Sequence, residues 1–277
     1  FCDLVGARRP TSMLIKDRYK HLYAYGPDLN LLWSHGGNLG HYPHAMDIDG
    51  DGKDEVAVGY SLLDHDGKVL FSHDFEDHAD NVAIANLPGP DGKPRPTIAI
   101  AASDAGLILL DIDGTPRARY PIGHAQSLCV AHLLPDHPGP QIVVNTFWGA
   151  AGITAVFDPS GRLLHEFEPM PYACLLQPVN WGPRGQDLIL LSTHPRQGGL
   201  IDALGRRCIM FPDDSHPHLC SDARDIDGDG VDEVLTWDEH SLWIYKLSNP
   251  GLDRTAYPRR QPWYNDSKYR AQLSVPH

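Results

Sequence analysis

The chain has 277 residues, of which 42% are hydrophobic and spread along its length, enough to build a sizeable core and to set disorder aside. Its formal charge of −13 excludes nucleic-acid binding through a phosphate-neutralising surface, and no run reaches the roughly 18 apolar residues of a membrane span. The five cysteines (Cys2, Cys129, Cys174, Cys208, Cys220) contain no CxxC pair, which argues against a zinc knuckle and reads them as small buried side chains on strands. The opening Phe1-Cys2-Asp3 has no initiator methionine and no signal-peptide pattern, so a processed or trimmed chain is expected.

From the N-terminus onward, short loop anchors recur. They start at Asp3, Asp47, Asn86, His132, Asn180 and Asp225, spaced 39 to 48 residues apart. Each precedes an apolar run, such as Val56-Ala57-Val58, Thr97-Ile98-Ala99-Ile100 or Asp187-Leu188-Ile189-Leu190. Later in each repeat comes a turn of Asp-Gly or Ser-Gly type (Asp66-Gly67, Asp113-Gly114, Ser160-Gly161), with Leu204-Gly205 a weaker form and Gly26-Pro27-Asp28 its counterpart in the first repeat. Long helical periods are absent. A strand, a loop, a second strand and then a hairpin, repeated at this interval, match the four-stranded blade of a β-propeller. The expected fold is therefore all-β, a single β-propeller domain over residues 1–277 with six or seven four-stranded blades. The segment from Tyr269 to Val275 could complete the ring or finish the last blade.

Two anchors are strongly acidic. Asp47-Ile48-Asp49-Gly50-Asp51-Gly52-Lys53-Asp54-Glu55 returns as Asp225-Ile226-Asp227-Gly228-Asp229-Gly230-Val231-Asp232-Glu233. Carboxylates at positions one, three and five, separated by glycine, let a tight loop wrap a hard cation, and the glutamate at position nine can close the shell. An EF-hand would need flanking helices and a glutamate at position twelve, where Val58 and Thr236 stand. Both loops are thus strand-to-strand connections. Their expected ligands are Asp47, Asp49, Asp51 and Glu55 in one, and Asp225, Asp227, Asp229 and Glu233 in the other, with Ca2+ as the ion.

This loop-plus-strand pattern resembles the FG-GAP repeat, the calcium-loop blade of propellers in integrins and polysaccharide lyases. With Gly40-His41-Tyr42-Pro43-His44, the run Leu63 to Leu70 and His78-Ala79-Asp80, it is similar to propeller-type rhamnogalacturonan lyases. That resemblance implies an acidic plant or microbial polysaccharide as substrate, cleaved by β-elimination.

The links between successive repeats carry a recurring polar signature. They contain His41 and His44, His78 and Asp80, His124 and Gln126, Tyr172, and His216 and His218. Ring closure is expected to gather these side chains on one face. Histidine shuttles protons near neutral pH, and tyrosine can donate one. β-Elimination from a uronate needs the C5 carboxylate neutralised, a base for the C5 proton and an acid for the leaving oxygen, and it does without the paired carboxylates of a hydrolase. His44, His78, His124, Tyr172 and His218 are the expected catalytic groups, and His41, Asp80, Gln126 and His216 the expected substrate contacts. A second metal class, held by His41, His78, His124 and His218, is an open alternative. His65 and His240 lie away from the links and are expected to be dispensable.

The tail around Tyr264 and Arg270 is dense in basic and aromatic residues, suited to sugar stacking and carboxylate binding, or else to a strand packed on the last blade. No clear Arg or Lys falls in the links themselves. Calcium loops of this kind fill at extracellular calcium, so a secreted or envelope location is expected, with the odd thiol count favouring the cytoplasm instead. A non-catalytic carbohydrate- or protein-binding propeller is the alternative function.

Overall fold

A computed structural model describes residues 1–149, 152–168 and 176–248. Tyr172, Cys174, Tyr264, Arg270 and the segment from Tyr269 to Val275 lie outside the described residues. Among the described residues every regular element is a strand, and no helix is long and apolar enough to cross a membrane.

The chain divides into two compact units, whose described residues are 1–128 in the first and 129–149, 152–168 and 176–248 in the second. In the first unit, β1 (Met13–Lys16), β2 (His21–Tyr25) and β3 (Leu31–Gly36) form one sheet. A second sheet holds β4 (His44–Met46), β5 (Glu55–Val58), β6 (Ser61–Leu63) and β7 (Val69–Ser72). A third holds β8 (Asn81–Pro88), β9 (Pro94–Ala101), β10 (Leu107–Asp111) and β11 (Pro116–Tyr120). The second unit carries β12 (Ala125–Ala131), β13 (Gln141–Thr146), β14 (Thr154–Phe157) and β15 (Leu163–Phe167), the first residues of β12 belonging to the first unit. It continues with β16 (Gln177–Val179), β17 (Leu188–Ser192), β18 (Gly199–Ile201) and β19 (Arg207–Ile209), then β20 (Cys220–Arg224), β21 (Glu233–Trp237) and β22 (Leu242–Tyr245).

Every sheet is an antiparallel meander in chain order, as the repeat and its tight turns require. Four sheets have the expected four strands, whereas the first and last have three among the described residues. In the first, an isolated bridge between Cys2 and Ser12 stands where the innermost strand would lie.

Middle strands such as β5, β13 and β14 are buried on both faces and read as unbroken apolar runs. Last strands such as β7 and β22 are largely exposed, which is why only their partners look like core. Leu62, Ile98, Ile100 and Ile108 pack into one cluster of the first unit, and Cys129, Val143, Val156 and Ile189 into one of the second. Each fully buried Leu or Ile contributes about 1.5–3 kcal/mol. The cysteines follow the expectation only partly. Cys2 and Cys129 are buried and Cys220 is half-buried, but Cys208 is exposed because it sits on an outer strand.

The repeat anchors have a structural reason. The Asp3 amide donates to Asp54 Oδ2 (2.7 Å), the His132 amide to Asp187 Oδ2 (2.8 Å) and the Asn180 amide to Asp232 Oδ2 (2.9 Å). An anchor in one sheet is thus tied to the aspartate that enters the second strand of a neighbouring sheet. The hairpin glycines do a second job of this kind. Gly67 has φ +85° and stands so close to the Trp33 ring that a Cβ would come within 2.7 Å of it. Gly205 approaches Phe167 in the same way, so both the positive φ and the close ring contact call for glycine.

Candidate functional site

The loops that leave β3, β7 and β11 bring three histidines of the first unit together. Gly40, with φ +59°, lies so near Ala79 that a Cβ would fall 2.0 Å from the Ala79 carbonyl oxygen. That approach lets the His41 amide donate to the same oxygen (2.9 Å) and sets His41 beside His78 and Asp80. The Asp80 amide donates to the Ala101 carbonyl (2.8 Å), which fixes the carboxylate at the end of β9.

Asp80 is the centre of the site and is 1% exposed. Gln126 Nε2 donates to its Oδ1 (2.5 Å), and the Ser103 hydroxyl lies 2.6 Å from both its Oδ2 and the His78 carbonyl. Three imidazole Nε2 atoms face this carboxylate: His41 at 3.5 Å, His78 at 3.6 Å and His124 at 3.3 Å. His78 Nδ1 is 2.8 Å from Asp77 Oδ1, and His124 Nδ1 is 2.8 Å from Asp104 Oδ1. In those bonds Nδ1–H donates to the outer carboxylates, which turns the Nε2 atoms toward Asp80. A lone pair facing a carboxylate is unfavourable until a proton or a cation stands between them. The buried His124 Nε2 has no hydrogen-bond partner.

Burial pushes the His41 imidazole down to about 4, against the pull of the Asp80 charge, so His41 is neutral at physiological pH. Burial opposes ionisation of Asp77, but hydrogen bonds from the His78 amide and ring outweigh it and hold the carboxyl below its usual range. Tyr19 closes one side, its ring edge-on to His41 (5.1 Å between centroids) and His78 (5.0 Å). The arrangement can hold a divalent cation or move a proton at His78 or His124. His41, His78 and Asp80 each offer a ligand atom, all within 4.8 Å of one another. Imidazole with one carboxylate suits a borderline transition metal better than calcium, and Asp77 behind His78 supplies the outer carboxylate that such ligands use.

The remaining expected residues fall elsewhere. Gln126 and Asp80 belong to the site, but His44 sits in β4 with its Nδ1 accepting the Ile84 amide (3.3 Å), a contact that ties β4 to β8. His216 is buried in the second unit, its Nδ1 on Asp214 (2.6 Å) and its Nε2 on the Thr193 carbonyl (2.6 Å). With both ring nitrogens engaged, it supports the local fold. His218 is exposed and packs edge-on to His194 at 4.7 Å, also in the second unit. Ser103, Asp77, Asp104 and Tyr19 were not anticipated. The adjacency of Asp77 to His78 was a readable signal, whereas Ser103 and Tyr19 come from other parts of the repeat.

Of the expected loop ligands, the structure brings together Asp47, Asp49 and Glu55 in the first loop, with Asp51 grouped instead with Glu55 and His65, and Asp225, Asp227 and Asp229 in the second. Asp47 accepts the amides of Gly50 (2.7 Å) and Gly52 (3.1 Å), and Asp225 those of Gly228 (2.7 Å) and Gly230 (3.0 Å). Glu55 and Glu233 each accept a loop amide on Oε2, from Ile48 and Ile226. Glu55 Oε1 is buried with no hydrogen-bond partner, as suits a cation ligand, whereas Glu233 Oε1 faces an ammonium. The loops differ in one respect. Lys246 contacts Asp227 and lies 2.9 Å from Asp229 and 3.3 Å from Glu233 Oε1, so an ammonium stands among the second loop's ligands. Lys246→Met is expected to tighten calcium binding at the second loop, measured by calorimetric titration in an Asp49→Ala background. His65, expected to lie away from the links, stands beside the first acidic loop, with Nδ1 3.9 Å from Asp51 and Nε2 2.9 Å from Lys53 Nζ.

No family model matches the chain, and no curated protein matches it. Among solved structures it is similar to the Bacillus licheniformis rhamnogalacturonan lyase PL11, with a TM-score of 0.68 and 21% identity over 97% of this chain and 47% of that one. The rhamnogalacturonan lyase YesW gives 0.63 and 23% over 90% of this chain and 45% of its own. The Vibrio cholerae biofilm matrix protein Bap1 gives 0.61 and 13% over 90% and 68%. The chain spans less than half the length of the two lyases, and at these identities the likeness speaks to a shared multi-sheet all-β fold.

Proposed function

We propose that this chain is the catalytic part of a secreted or envelope polysaccharide lyase, a calcium-bearing β-propeller that cleaves a uronate-containing, rhamnogalacturonan-like polymer by β-elimination at Asp80. The observation that carries this reading is the convergence of His41, His78 and His124 on one buried carboxylate. The fold likeness to two rhamnogalacturonan lyases supports it.

His41, His78 and Asp80 would hold a divalent cation, and that cation, when bound, supplies the positive charge that neutralises the C5 carboxylate. Gln126 and Ser103 keep Asp80 oriented, and Asp77 keeps His78 in the tautomer whose Nε2 faces inward. His124 is the base. Asp104 holds its Nδ1 proton, and the unpartnered Nε2, buried beside Asp80 in this structure, takes the proton from C5 once the ring turns toward the polymer. As the C4–O bond breaks, the electron pair of the former C5–H bond becomes the C4–C5 double bond. The imidazolium returns its proton to the leaving oxygen.

Incubation with rhamnogalacturonan or polygalacturonate, with divalent cations supplied, is expected to release products with the ultraviolet absorbance of an unsaturated uronate. Tight binding of the polymer with no such product would replace this reading with a binding module, a role that the likeness to a biofilm matrix protein also supports.

A further inference from the structure

We propose that Arg18 and Tyr19, on the turn between β1 and β2, form the specificity element that seats the carboxylate of an acidic sugar beside the Asp80 cluster. This rests on the function proposed above and adds the group that selects an acidic over a neutral or esterified sugar.

The turn is held from several directions. Asp17 Oδ1 accepts the amides of Tyr19 (3.1 Å), Lys20 (2.6 Å) and His21 (2.9 Å), closing the backbone around one carboxylate. Lys16 Nζ donates to the carbonyls of Asp17 (2.7 Å), Arg18 (3.0 Å) and Gly40 (2.6 Å), joining the turn to the link that carries His41. The Leu39 amide donates to the Tyr19 carbonyl (2.9 Å) and the Gly37 amide to that of Lys20 (3.0 Å). These bonds fix Tyr19 edge-on to His41 and His78.

Arg18 is exposed and lies over the Tyr19 ring, its Cζ 5.3 Å from the centroid, a cation–π contact that holds the guanidinium at the rim. Its charge is felt at both His41 and Tyr42. Among the described residues no carboxylate within ion-pair distance neutralises it, although the chain as a whole is strongly acidic. A pre-placed guanidinium with its fork free, next to a buried cluster that moves protons, matches a bidentate partner of planar carboxylate geometry. The Lys16, Arg18 and Lys20 charges also make this turn a local attractor for a polyanion. Tyr19 acts here as a positioning residue.

The test compares binding of a galacturonate oligosaccharide with its methyl ester, by calorimetry, for the parent, Arg18→Gln, Arg18→Lys and Tyr19→Ala. Arg18→Gln is expected to weaken the free acid by about tenfold or more and leave the ester unchanged. Arg18→Lys should recover only part of that loss, because an ammonium lacks the fork. Tyr19→Ala should reduce the preference for acid over ester by a smaller factor. In turnover the same Arg18→Gln change raises KM with little effect on kcat. An Arg18→Gln protein that keeps the parent's preference for acid over ester overturns the proposal while the lyase reading stands. A parent that binds neither compound overturns both.

Discussion

If the chain cleaves a uronate polymer as proposed, truncating His78 or His124 to Ala is expected to lower that rate by about 10²–10⁴-fold and to leave the thermal midpoint nearly unchanged. The separation is expected because neither imidazole holds the fold together. Each spends Nδ1 on an aspartate at the surface, Asp77 or Asp104, and turns Nε2 toward Asp80 rather than into a hydrophobic cluster. In the proposed mechanism, removing His124 takes away the group that carries the proton, and removing His78 takes away a cation ligand. Asp80→Ala would not separate the two effects. It removes the carboxylate that Gln126 Nε2 and the Ser103 hydroxyl both donate to inside the protein, so stability and activity would fall together. His240 is the appropriate silent control, being exposed and, among the described residues, in ion-pair contact with Glu239 alone. His65 is not, given its place beside the first acidic loop.

Calcium removal is expected to produce the second large effect. At a calcium concentration of 100 times Kd, a loop that binds only in the native state contributes about 2.7 kcal/mol, so a chelator should lower the thermal midpoint by several degrees. Glu55 sharpens the expectation. Burial raises its carboxyl to about 7, with the neighbouring Asp49, Asp64 and Asp47 charges adding to the effect. A carboxyl raised in the folded state contributes stability that is complete below the unfolded value near 4.5 and is lost as pH rises through about 7. The calcium-free protein should therefore lose stability between those values, and added calcium should restore most of it on the alkaline side. Asp49→Ala should lose more of the calcium response than Asp227→Ala, because Lys246 already neutralises part of the second loop. A midpoint indifferent to chelation, after confirmed calcium removal, contradicts the structural role of these loops.

Local chemistry was legible in the sequence where one backbone demand sets it. The Asp-x-Asp-Gly-Asp-Gly loops, the Asp-Gly hairpin turns and the doubly buried apolar strands are each specified within a few residues. The repeat interval was legible too, because anchors such as Asp3, His132 and Asn180 must meet the aspartates Asp54, Asp187 and Asp232 of another sheet. The strand count was less so, since a single bridge at Cys2 can stand where a full strand is expected.

The site was half legible. Equivalent positions in a repeat predicted that His41, His78 and His124 would approach one another, but side-chain direction is decided by contacts that do not repeat. His44 turns to the Ile84 amide and His216 is sealed between Asp214 and Thr193, although both occupy links like those of the cluster. Lys246 reaches the second loop from beyond β22, and the Arg18–Tyr19 turn reaches His41 through the Lys16, Leu39 and Tyr19 contacts. Long-range approach of that kind leaves no local pattern to read. The Arg18–Tyr19 turn also places an arginine beside the histidines, which the link sequences alone did not offer.

The division of labour between the histidine cluster and the acidic loops is tested most directly by one paired assay. Parent, His124→Ala and Asp49→Ala proteins are incubated with the same uronate polymer at saturating calcium, well below every midpoint, while unsaturated product and thermal midpoint are both recorded. The expected outcome is a folded His124→Ala protein that forms almost no product, beside an Asp49→Ala protein that is less stable and still cleaves. A His124→Ala protein that cleaves at the parent rate while Asp49→Ala is inactive at full stability would place the chemistry at the calcium loop and contradict the account.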